Sequence, residues 1–153
     1  MKTQVVLQLP ILIALSAACQ IVHPPPSITV LLDSEFTLAA KQSAIIADTD
    51  LTITFDSVPG DDRWPRKAEC AASGPAVISL FVQQGNEPAQ ELILQTFTEQ
   101  NGRTPDRQFE GMEDSVAVGS YLIQMTGIVP YPKNRSVQIK QAEYQIILLV
   151  SLK

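Results

Sequence analysis

Residues able to do chemistry are few in this chain, and their placement excludes most reactions. The single histidine, His23, stands before Pro24, Pro25 and Pro26, and the two cysteines, Cys19 and Cys70, lie far apart. A Ser-His-Asp triad or a Cys-His pair needs nucleophile and base within hydrogen-bond reach, so either would require the proline segment to fold back over a site. Zinc wants three or four Cys, His or carboxylate ligands, a set this inventory does not supply, and no P-loop, GxGxxG, HExxH or GxSxG pattern occurs. No catalytic residue and no cofactor are therefore assigned. Carboxylates remain. Asp56, Asp61, Asp62 and Glu69 gather around the segment 58–75, and Asp48 and Asp50 flank Thr49 in a turn. Asp56, Asp61 and Asp62 are weak candidates for calcium, although their spacing is not that of an EF-hand loop. Asp62 and Glu69 are a conceivable acid/base pair for hydrolysis. The plainer reading is that all of these are solvated turn carboxylates, which favour tight bends.

The same loop carries Arg63-Trp64-Pro65-Arg66-Lys67, with the only Trp of the chain. Trp and Arg are enriched among residues that dominate protein interfaces, so Arg63, Trp64, Arg66 and Lys67 form a candidate interaction surface for a protein partner. Against this stands a structural reading in which Trp64 covers the edge of a core and the cations balance Asp61, Asp62 and Glu69. A net charge of −5 leaves no basic excess of the kind a phosphate-reading surface needs, so nucleic acid is not an expected partner.

Strands must position these groups. Eleven prolines and seven glycines spread through 153 residues suit many short strands joined by turns. Period-two alternation is clearest at 51–56, where Leu51, Ile53 and Phe55 face one way and Thr52, Thr54 and Asp56 the other. It recurs at 121–129 and at 144–152, and Ile147 and Leu149 on the second face of the last segment predict a central strand covered on both sides. Further strands are expected at 28–32, 36–40, 43–47, 76–84, 89–98 and 115–118, with turns at Pro59-Gly60-Asp61-Asp62, Gln84-Gly85-Asn86, Asn101-Gly102 and 130–134. Segment 89–98 has helical propensity, yet the alternation of Leu92, Leu94 and Thr96 favours a strand. The prediction is one all-β domain over 28–153, an antiparallel two-sheet sandwich or partly open barrel of seven to nine strands.

The N-terminus reads as an address rather than as fold. Lys2 precedes an apolar run at 5–15 that is shorter than the ~20 residues a membrane-crossing helix needs. It is followed by Ser16-Ala17-Ala18-Cys19. Residues 1–18 have the organisation of a secretory signal, and the small residues before Cys19 resemble a bacterial lipobox. The resemblance implies a lipid on Cys19, a proline-rich tether over 19–27 and a domain held at a cell or outer membrane. Leu15 sits one place earlier than the lipobox pattern has it, and Ser16-x-Ala18 also fits ordinary cleavage and secretion. Acyl chains add ~0.8 kcal/mol per buried methylene, enough with several chains to hold a soluble domain at a bilayer.

From Phe36 to Leu152 the order of motifs resembles a group of uncharacterised bacterial secreted and lipid-anchored proteins. Their pattern has a DSRCPxxxxC-like loop, a glycine-containing entry into a strand and a late PYP segment. The matching residues are Asp61-Asp62-Arg63-Trp64-Pro65 with Cys70, then Gly74-Pro75-Ala76, then Pro130-Tyr131-Pro132. The group brings no activity with it. In the two-cysteine pattern a disulfide closing ~7 residues is implied. Trp64 occupies the first cysteine position, so that bridge cannot form here. With Cys19 lipidated, Cys70 is expected to lack an intrachain partner, and Trp64 to pack over the loop in place of the crosslink.

Overall fold

The computed structural model describes residues 23–65, 73–134 and 138–153. The leader, Cys19, Arg66, Lys67, Glu69 and Cys70 lie outside the described residues. Within them the chain forms nine strands, β1 (Ile28–Val30), β2 (Phe36–Ala39), β3 (Ser43–Ile46), β4 (Leu51–Asp61), β5 (Ala76–Gln84), β6 (Gln90–Thr96), β7 (Ser115–Val118), β8 (Tyr121–Val129) and β9 (Gln145–Leu152), with one 3-10 turn at Gln141–Glu143.

A five-stranded sheet has the order β1-β3-β4-β5-β6 and a four-stranded sheet the order β2-β9-β8-β7. Their facing sides share one core, with Ile53, Phe55, Ile78 and Leu80 from the first sheet against Leu38, Ile123, Met125, Ile146 and Leu148 from the second. This is the arrangement of a sandwich, in which alternate residues of both sheets interdigitate. The sheets do not close into a barrel. One pairing departs from the antiparallel expectation, since β1 runs parallel to β3.

Three register shifts explain where the alternation read from sequence breaks. In β4, Leu51, Ile53 and Phe55 are buried, but the next buried side chain is Val58. The register against β5 shifts twice, between Phe55 and Ser57 and between Ser57 and Gly60, and resumes at Gly60 opposite Val77. A bulge adds a residue and flips the inward parity, and it tolerates a proline without a ladder N–H. Pro59 and Gly60 therefore lie inside β4, where a turn was expected, and the strand reaches Asp61. The third shift, in β8 between Met125 and Gly127, moves the inward set from Ile123 and Met125 to Ile128. The last strand is central as predicted, between β2 and β8. Its second face is only half-buried at Ile147 and Leu149, so full cover on both sides was an overestimate.

Segment 102–104 continues the edge of β8 where β7 ends, through Ile128 N–H to Gly102 O (2.8 Å) and Thr104 N–H to Thr126 O (3.0 Å). Gly102 has φ +85, and a Cβ there would stand 2.6 Å from the Ile128 carbonyl oxygen, so both backbone sign and space require glycine.

Candidate functional site

The loop most suggestive in sequence begins at the end of β4. Asp61 is the last strand residue and Arg63 follows two places on, which brings the guanidinium back over the carboxylate. Arg63 Nε donates to Asp61 Oδ1 and Nη2 to Asp61 Oδ2, both at 2.7 Å, in the two-point geometry that a planar fork and a carboxylate share. The remaining donors reach the other sheet, with Nη1 to the Ile128 carbonyl (2.9 Å) and Nη2 to the Pro130 carbonyl (3.0 Å). Tyr144 Oη donates to Asp61 Oδ2 at 2.9 Å, and the Tyr131 ring lies under the guanidinium with its centroid 5.2 Å away.

Arg63 is only 4% exposed, which corrects its placement on an interaction surface. A buried guanidinium needs a partner for each donor, and this one finds them in two sheets, so its charge is spent inside the fold. Trp64 is half-buried and its backbone N–H donates to Ser73 Oγ (3.0 Å), which also meets Tyr131 Oη (3.2 Å). Asp62 is exposed, but its backbone is tied, with its N–H on the Pro75 carbonyl and its carbonyl accepting from Gly74 N–H. A Cβ on Gly74 would stand 2.5 Å from that Asp62 oxygen, which accounts for the glycine entry into β5.

The three calcium candidates are not brought together. Asp56 pairs with Lys41 and accepts from Ser57 Oγ, Asp61 serves Arg63 and Tyr144, and Asp62 faces solvent. No group of three or more His, Cys, Asp or Glu able to hold a metal occurs among the described residues. The pairing of Asp62 with Glu69 falls outside the described residues, as Glu69 does.

Burial pushes the Tyr144 hydroxyl well above its ordinary pKa, and the neighbouring Asp61 carboxylate adds to the shift. The hydrogen bond from Lys41 holds Asp56 below the usual carboxylate range, and contacts with Thr126 and Arg103 do the same for Glu35. These are signatures of satisfied pairs. A cleft of about 650 Å³ opens beside the network, walled by Gly60, Asp61, Pro65, Pro132, Gln138 and Tyr144. Asp61 is the one carboxylate among its described lining residues, and both its oxygens are engaged. A second cleft of about 660 Å³ holds Phe97 and Phe109 in an edge-to-face pair 6.0 Å apart, with Arg107 over Phe109.

Sequence reasoning missed Gln141 and Tyr144. Gln141 offers both ends of its side-chain amide to Val58, accepting from the backbone N–H and donating to the carbonyl at 2.9 Å each. It thereby completes the β4 edge at the bulge. Nothing local signals either role, since both partners are 83 residues distant in sequence. Compared with known proteins, the chain matches no family model, no curated protein and no solved structure.

Proposed function

We propose that this is an exported cell-envelope protein, lipid-anchored through Cys19 or else secreted, whose β-sandwich is a non-catalytic binding or structural module. The observation that carries the reading is the engagement of Asp61. The acid best placed in a cleft has one oxygen on Arg63 and the other on Arg63 and Tyr144, so it is neither a free base nor a free metal ligand. Function then falls to surfaces that present backbone and side chains to a partner. The leader over 1–18, the small residues before Cys19 and the stiff run Pro24 to Pro26 support placement at a membrane, and the likeness to lipid-anchored proteins points the same way.

Fractionation of cells expressing the full chain tests the anchor. The native protein is expected in the membrane fraction and Cys19→Ala in the soluble exported fraction. Unchanged membrane retention of Cys19→Ala would overturn lipid attachment.

A further inference from the structure

We propose that the free edge of β6 receives an extended segment of a protein partner in which apolar residues alternate with Lys or Arg, adding a strand to the five-stranded sheet. This rests on the binding-module reading and names the surface.

Backbone direction fixes which groups are available. Gln95 exchanges two hydrogen bonds with Glu113, each 2.9 Å, across the gap to the other sheet. N–H and C=O groups alternate in direction along a strand, so those of Ile93 and Glu91 also point away from β5. No strand among the described residues meets them, because β6 is the last of its sheet. Each offers one donor and one acceptor, spaced as an incoming strand requires.

This edge lacks the usual protection against pairing. Folded proteins blunt sheet edges with very short strands, proline, lysine or bulges. The other edge strands are short: β1 has three residues, and β2 and β7 have four each. At seven residues β6 is longer, reads QELILQT without Pro or Lys, and pairs with β5 in unbroken register. Ile93 is 51% exposed on its outer face.

The surroundings describe the occupant. Past the Gln95–Glu113 bridge, β6 and β7 leave between them a cleft of about 250 Å³ walled by Val82, Leu92 and Val118 together with Gln84, Gln90 and one charged side chain, Glu87. Side chains on the inner face of an added strand would enter it against buried Val82 and half-buried Leu92 and Val118, so these should be apolar. On the outer face they meet Glu91, whose carboxylate accepts from Ser79 Oγ (2.8 Å), with Glu113 exposed in the neighbouring segment. Charge complementarity therefore asks for Lys or Arg at the alternate positions.

The probe is a fluorescein-labelled, end-capped eight-residue peptide of alternating Val and Lys, added to the full chain in detergent solution. Saturable binding is expected, with slowed hydrogen exchange of the Glu91 and Ile93 amides. Ile93→Pro, which deletes an outward N–H while sparing the bonds to β5, should raise Kd about tenfold, the scale of one lost hydrogen bond. Ile93→Lys should weaken binding too, and serves if the proline variant does not fold. A peptide N-methylated at alternate amides should not bind. Equal binding of the methylated peptide would reveal mere charge attraction and overturn the proposal. Unchanged affinity in both variants would overturn it as well, as would concentration-dependent protection of these amides without peptide, which marks a second copy as occupant. The readout is independent of lipid attachment, so this result and the Cys19 result can fail separately.

Discussion

Two arginine–carboxylate pairs in this molecule have nearly the same contact distances and opposite surroundings. Arg63 grips Asp61 at 2.7 Å with side chains 0% and 10% exposed, whereas Arg103 grips Glu35 at 2.8 Å with side chains 44% and 42% exposed. The first links β4 to carbonyls at the end of β8 and so ties one sheet to the other. The second crosses the outer face of a single sheet, beside Thr126. Identity and distance are thus poor guides to what an ion pair does. Solvent decides, because water already satisfies an exposed pair and cannot reach a buried one.

The strongest way to break the contrast is to remove one partner of the buried pair. Arg63→Ala strands Asp61 without its counter-charge, and a loss of about 3–5 kcal/mol in chemical denaturation is expected. Arg63→Lys should recover only part of it, since an ammonium cannot reproduce the fork. A smaller effect tests the third member. Tyr144→Phe should cost about 1 kcal/mol at neutral pH, one hydrogen bond's worth. It should also change the alkaline limb. The Tyr144 pKa is raised on folding, so its contribution is intact below its ordinary value of 10.0 and is lost as pH climbs beyond it, when the unfolded chain can release the proton and the folded one resists. Between about pH 9 and pH 11 the native protein should lose more stability than Tyr144→Phe does, as read from denaturant midpoints at each pH. Least affected should be Arg103→Ala, at about 0–1 kcal/mol and shrinking with added salt. A loss as large as that of Arg63→Ala would dissolve the comparison.

The strands were legible because their alternation is local. Residues 51–56, 121–125 and 144–152 carry their inward faces in the order of their side chains, and β6 showed itself through Leu92 and Leu94 despite helix-forming neighbours. Bulges were not legible. Nothing about Pro59-Gly60 distinguishes a turn from an irregular strand until β5 lies alongside to resume the register at Val77. Arg63 looked like a surface residue because it stands beside Trp64 in a charged loop, the kind of pairing that interfaces favour. Its burial depends on carbonyls at Ile128 and Pro130, which only the packing of two sheets brings near. The exposed edge of β6 was equally hidden, since edge position is a property of sheet order rather than of residue type.

The central place of β9 has a further consequence, for the timing of folding. Phe36 pairs with Leu148 and Leu38 with Ile146, so β2 has its partner more than 100 residues later, in β9. β8 also pairs along its length with β9. A ribosome delivers residues in order, and a growing chain that lacks this strand can join neither β2 nor β8 into the four-stranded sheet. Closing so long a stretch of chain costs entropy before any contact offsets it, which makes such topologies slow to fold. Ile123 and Met125, which pair with Val150 and Leu148, lack those neighbours until β9 has been made.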